Sequence, residues 1–192
     1  MSEVTLTFKE GTERLSSGIL NMITDVVIPN SVKTIGNGTF YGCTSLTSIT
    51  IPNSVTEICK YAFCECKSLT DITIPTSVTS IGDGAFYKCS SITEISIPDS
   101  VTHIGDFAFD SCLSLTKITI PNSITSIGDD TFCNCQSLTE ITIPNSVVSI
   151  GEHTFLGCTS LESIYIDKEK DTLDLSEARI PKNCKVYWKK EF

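Results

Sequence analysis

Proline recurs at positions 29, 52, 75, 98, 121 and 144, always 23 residues apart. Cysteine keeps the same interval at 43, 66, 89, 112, 135 and 158, and phenylalanine at 40, 63, 86, 109, 132 and 155. Isoleucine fills three further columns, which begin at Ile35, Ile49 and Ile51. Another column runs Leu46, Leu69, Ile92, Leu115, Leu138 and Leu161. So many columns in one period define an array of equivalent units. A unit of 23 residues cannot bury eight apolar side chains by itself, so successive units must cover one another.

One unit runs from Pro52 to Ile74. Its end, Leu69-x-x-Ile72-x-Ile74, alternates with period two, which predicts a strand with one buried face. The proline that follows cannot donate to a strand ladder and therefore closes the strand. Val55 and Ile58 lie on the return path. The next position is glycine in five units (Gly36, Gly82, Gly105, Gly128, Gly151), which suggests a turn needing positive φ, with Cys59 as the exception. The short Ala-Phe or Thr-Phe segment predicts one helical or 3-10 turn that points the phenylalanine inward. Because every unit runs in the same direction, the strands pair in parallel. The fold class expected is an α/β repeat solenoid.

The Leu-x-x-Ile-x-Ile-Pro block, as in Leu46 to Pro52, and the Ala-Phe-x-x-Cys block, as in Ala62 to Cys66, resemble the BspA-like leucine-rich repeats, a 23-residue class. The resemblance implies a right-handed superhelix with parallel strands on a concave face and short strands or 3-10 turns on the other side. It also implies protein–protein interaction without catalysis, or alternatively a cell-surface adhesin for host matrix glycoproteins.

Residues 1–22 are expected to cap the first edge, residues 23–166 to form the repeats with a degenerate first rung, and residues 167–192 to cap the other end of a single domain. Val4, Leu6 and Phe8 alternate with Thr5 and Thr7 as in a half-buried strand, and a polar stretch, Lys9 to Arg14, follows. Leu173, Leu175 and Ile180 resume apolar spacing, and Cys184 to Trp188 reads as a last strand. The first residues lack the basic start and apolar block of a secretory signal. That favours the cytoplasm, with a cell-surface location by another route as the alternative.

The formal net charge is −9, and seventeen of the 23 acidic residues fall in 1–166 beside seven basic ones. This balance disfavours nucleic acid as a partner. No apolar run approaches the ~18 residues of a membrane span. The two histidines, His103 and His153, occupy different columns and read as surface residues. No phosphate loop, nucleophile elbow or zincin motif is present, so neither an enzyme nor a cofactor is expected. The acidic column Asp83, Asp106, Asp129 and Glu152 reads as a solvated turn in preference to a calcium site. The six ladder cysteines read as small buried groups that remain reduced. Cys64 and Cys133 fall in a column shared with Tyr41, Tyr87, Asp110 and Leu156, which looks exposed. Paired with Cys66 and Cys135 they could hold a soft metal, but two pairs three rungs apart do not make a zinc site.

Partner contacts are expected on the concave face, at the positions between the buried strand residues. One candidate column is Ser48, Asp71, Glu94, Lys117, Glu140 and Ser163, and its neighbour is Thr50, Thr73, Ser96, Thr119, Thr142 and Tyr165. Threonine suits a strand for its own sake, so the varied charge column carries more information. A third column, Thr47, Thr70, Thr93, Thr116 and Thr139, flanks them. The partner is an unidentified protein, and a monomer is expected in preference to a homodimer.

Overall fold

The computed structural model describes residues 5–7, 20–169 and 172–189. Val4, Phe8 and the polar stretch Lys9 to Arg14 lie outside the described residues.

Each repeat contributes one strand to a parallel ladder. Its members, Asp25–Val27, Ser48–Thr50, Asp71–Thr73, Glu94–Ser96, Lys117–Thr119, Glu140–Ile143 and Ser163–Ile166, stack side by side, with strand pairing interrupted after Asp71–Thr73 and after Lys117–Thr119. Equivalent residues are register partners, as in Ile49 with Ile72 and Ile118 with Ile95. Strand Thr5–Thr7 pairs with Asp25–Val27 at one end, and Lys185–Trp188 pairs with Ser163–Ile166 at the other. The period-two alternation works as anticipated: Ile49, Ile72, Ile95, Ile118 and Ile141 point inward while their sequence neighbours are exposed. On the return path, Thr34–Ile35, Glu57–Ile58, Ser80–Ile81 and His103–Ile104 form a second parallel ladder, and Ser126–Ile127 pairs with Ser149–Ile150.

The third side of each rung departs from the expectation of a helical turn. Among the described residues the only helix is the three-residue 3-10 segment Leu20–Met22, so the solenoid is all-β and its α/β description does not hold. The physical reason lies in the backbone. Two positions per rung adopt positive φ: the column Gly38, Tyr61, Gly84, Phe107, Asp130 and His153, and the column Gly42, Glu65, Lys88, Ser111, Asn134 and Gly157. Left-handed residues at this spacing break any helical run. The segment is instead a chain of tight turns whose N–H groups alternate in direction. Ala62, Cys64 and Cys66 donate to carbonyls three residues back, whereas Tyr61, Phe63 and Glu65 donate to Asp83, Ala85 and Tyr87 of the next rung. Stacking therefore satisfies the backbone groups that the turns leave open.

The glycine column needs a corresponding correction. Gly82, Gly105, Gly128 and Gly151 do not have positive φ, which falls two residues later. Their role is close approach. A Cβ on Gly82 would lie 2.6 Å from the backbone nitrogen of Lys60, and one on Gly105 would lie 2.4 Å from that of Asp83.

Inside, six phenylalanines form one continuous spine. Phe40, Phe63, Phe86, Phe109, Phe132 and Phe155 are each at most 1% exposed. Consecutive rings stack with centroids 5.2 to 6.1 Å apart. Burying one such ring is worth about 1.5–3 kcal/mol before its packing is counted. The cysteine ladder runs beside the spine, and its thiols are more than space fillers. Cys66, Cys89, Cys112, Cys135 and Cys158 donate to the carbonyls of Phe40, Phe63, Phe86, Phe109 and Phe132 at 3.0 to 3.3 Å.

Candidate functional site

The ten predicted contact residues all lie on the outer face of the strand ladder. Ser48, Asp71, Glu94, Lys117 and Glu140 form one exposed row, and Thr50, Thr73, Ser96, Thr119 and Thr142 form the other. The buried isoleucine between each pair holds the two exposed neighbours on the same side. Register partners include Ser48 with Asp71, Thr50 with Thr73, Lys117 with Glu94 and Thr119 with Ser96. Strand pairing extends the rows to Ser163 and Tyr165, and then to Lys185 and Tyr187.

The charges of this face have no internal partners. Among the described residues, Asp71, Glu94, Lys117 and Glu140 make no ion pair. Some charges elsewhere on the surface are paired, as in Lys60 with Asp83 at 3.1 Å and Lys88 with Glu65 at 3.5 Å. The flanking threonine column has a structural use. Thr70 and Thr116 turn their hydroxyls back onto the carbonyls of Thr47 and Thr93, one rung earlier.

The other candidate groups resolve into scaffold roles. In the acidic column, Asp106 and Asp129 accept the N–H groups of Asp129 and Glu152 at 2.9 and 2.8 Å, so each carboxylate stitches one rung to the next. His103 is exposed, and Nδ1 of His153 lies 3.9 Å from the Asp130 carboxylate. Among the described residues no three His, Cys, Asp or Glu side chains converge as a metal site requires.

The column of Cys64 and Cys133 is not uniformly exposed, contrary to expectation. Cys64 and Cys133 are 2% and 5% exposed, and Asp110 is also buried, whereas Tyr41 and Leu156 face solvent. Side-chain size explains the difference: a small thiol is covered by its neighbours where a ring or a leucine projects. Burial and the Glu65 charge push the Cys64 thiol up to about 11. Burial, with Asp110 and Asp130 nearby, pushes Cys133 up to about 12. Burial also raises the ladder thiols Cys89, Cys135 and Cys158. A thiol that resists ionisation is a poor nucleophile and a poor metal ligand. Thiol titration of the reduced native protein at pH 8 should therefore find few reactive groups, rising to about ten after denaturation, given ten free cysteines. A native count near ten would contradict this burial.

The stacked pair Tyr165 and Tyr187, with centroids 5.2 Å apart, is a feature of this face that periodicity does not expose. Lys185 and Tyr187 align with Ser163 and Tyr165 at an offset of 22 residues, so the 23-residue count passes over them. The Lys-x-Tyr alternation in the last strand was the available signal.

The chain is a parallel β-solenoid of 23-residue rungs whose strands turn one side to solvent. The profile of the BspA type leucine rich repeat region, in six copies, matches residues 20–138 and 102–184, and the chain belongs to that family. It is similar to a leucine-rich repeat protein of Bacteroides ovatus, with 27% identity, a TM-score of 0.66 and 88% of this chain covered. The chain spans about half (52%) of the length of that protein. It is also similar to the T. pallidum leucine-rich repeat protein, with 29% identity, a TM-score of 0.72, and 83% and 78% of the two chains covered. The pneumococcal vaccine antigen PcpA shares the fold at 17% identity, with a TM-score of 0.57 and 86% and 62% of the two chains covered. No curated protein sequence matches the chain. Among the described residues no helix is long and apolar enough to cross a membrane.

Proposed function

We propose that the chain is a non-enzymatic protein-interaction module that binds its partner through the outer face of the strand ladder. The observation that carries this reading is the contrast within the surface. Several turn groups hold rungs together, as Asp106 and Asp129 do through backbone N–H groups and Lys60 does with Asp83, whereas Asp71, Glu94, Lys117 and Glu140 make no ion pair among the described residues. Stacked repeats tolerate any hydrophilic residue at such positions, so an interaction surface varies there without disturbing the core. Family membership supports the same reading. The free thiols support a reducing compartment, the cytoplasm, as the place of work.

The test is the double substitution Asp71→Lys with Glu94→Lys. Both side chains are exposed, so stability should shift by less than about 1 kcal/mol. Affinity for a captured partner should fall at least about tenfold, because two attractive charges become repulsive. Unchanged capture by the folded variant would assign binding to another face.

A further inference from the structure

The turn side of the solenoid places aromatic residues where neither the core nor the strand face uses them. Along the column Gly38, Tyr61, Gly84 and Phe107 the backbone is left-handed at every position, and two glycines alternate with two aromatic residues. That conformation costs an aromatic residue backbone energy that glycine escapes. Full burial does not offset the cost, because Tyr61 and Phe107 remain 37% and 39% exposed. The Tyr61 ring lies across Gly84, where a Cβ would clash with it, and the Lys60 ammonium stands 5.3 Å from its centroid. Phe107 makes no ring stack or cation contact among the described residues. Its N–H donates to the Asp129 carbonyl of the next rung at 2.9 Å. Asp106 and Asp129 each engage one carboxylate oxygen, on the N–H groups of Asp129 and Glu152, and make no ion pair among the described residues. The two aromatic residues thus stand two rungs apart, roughly 9.6 Å at strand spacing, with carboxylates free of any cation at the Phe107 end.

We propose that this turn face docks a proline-rich segment of a partner protein in the polyproline II conformation. Two prolines three residues apart meet Tyr61 and Phe107, and a basic residue just beyond them meets Asp106 and Asp129. This inference goes beyond the strand face and does not depend on it. A polyproline II helix turns once in three residues at about 3.1 Å each, so equivalent residues recur at roughly 9.3 Å, which matches two rungs. Proline packs against exposed aromatic side chains, and the segment is extended before it binds, so a shallow surface need not order it. The backbone of the turn side gives a second reason. The N–H groups of Tyr61 and Phe107 already bond to the carbonyls of Asp83 and Asp129, so these positions offer no open edge to a β-segment. A polyproline II chain carries no hydrogen-bond ladder that would need such an edge. Charge selects the flanking residue. The acidic repeat body and the two carboxylates favour arginine, whose donor fork suits a carboxylate. A sugar polymer would also pack on the rings but would answer neither carboxylate.

The probe is the blocked peptide acetyl-Ala-Pro-Pro-Ala-Pro-Pro-Arg-amide, titrated into the ¹⁵N-labelled full chain and followed by amide chemical shifts. Shifts should concentrate at Tyr61, Gly84, Phe107 and Asp129, with an affinity on the order of millimolar, as a small shallow site allows. Replacing every proline of the peptide by alanine should weaken binding at least about fivefold, because the extended form is then no longer preset. Citrulline in place of arginine should weaken it about threefold. Phe107→Gly removes a ring and should weaken binding at least about fivefold. Glycine is the residue that Gly38 and Gly84 already place in this column, so the substitution suits the local backbone. Tyr61→Gly should produce a similar loss, so the test stands if either variant fails to fold. Phe107→Tyr keeps the ring and should bind within about twofold. Absent shifts at about 20 mM peptide, well above that affinity, overturn the proposal. Equal binding of the all-alanine peptide overturns it too, and so does undiminished binding by folded Phe107→Gly. Shifts produced at these residues by cellohexaose but not by the peptide would assign the face to sugars instead. The charge reversal Asp71→Lys with Glu94→Lys lies on the strand face and should leave peptide affinity within about twofold. Loss of peptide binding in that folded variant would place the peptide on the strand face and reject the turn side.

Discussion

Phe86→Ala is expected to destabilise the protein by about 3–5 kcal/mol, measured by equilibrium denaturation. Phe86 is fully buried, with Phe63 and Phe109 stacked on its two sides at 5.4 Å each. Truncation removes the burial of one ring, two stacking contacts and the support of both neighbours. Collapse cannot fill the space readily, because the rungs are held at strand spacing by ladders on the strand and return sides and by the turn hydrogen bonds on the third. The middle of a stack should also suffer more than its end. Among the six spine rings, Phe155 has a single ring neighbour, Phe132, at 6.1 Å, so Phe155→Ala should cost less than Phe86→Ala. In an array stabilised by nearest-neighbour contacts, a weak central interface uncouples the two halves and should lower the cooperativity of unfolding. A loss under about 1.5 kcal/mol for Phe86→Ala would contradict a shared spine.

The second large effect separates two explanations of one glycine column. Gly105→Ala should destabilise by about 1–3 kcal/mol, and Gly36→Ala by less than about 1 kcal/mol. A Cβ at residue 105 would lie 2.4 Å from the Asp83 nitrogen and 2.8 Å from its Cα. Backbone cannot step aside without breaking the register of adjacent rungs. A Cβ at residue 36 meets nothing nearer than the Thr39 hydroxyl at 3.4 Å. If the column served positive φ, both substitutions would be comparably harmful; if it serves close approach between rungs, they differ. Equal stability of the two variants would therefore refute the close-approach account.

Much of the scaffold is readable from spacing, column by column. Isoleucine at 72 and 74 around Thr73 can satisfy only a strand with one wet side, and the structure obeys this at every rung. Phenylalanine at a fixed interval forces the rings into one pile once the units are parallel. The turn side was less legible. Tyr61, Phe107 and Lys88 occupy left-handed positions that glycine would ordinarily mark, so local preference pointed away from the true conformation. There the backbone is held by bonds to the next rung, such as Tyr61 N–H to Asp83 at 2.9 Å, which no single unit reveals. The same limit hid the tyrosine stack. Tyr165 and Tyr187 meet only because the last strand joins the ladder one residue out of period.

Periodicity by itself determined that the chain stacks, which side chains enter the core and which pair of rows faces solvent, because each of these follows from a spacing repeated along one unit. Tertiary structure alone decided the direction of the turn hydrogen bonds, the burial of Cys64 and Cys133, and the stacking of Tyr187 on Tyr165. Those features depend on what the neighbouring rung places a few ångströms away, and contacts between rungs leave no mark in the order of residues within one.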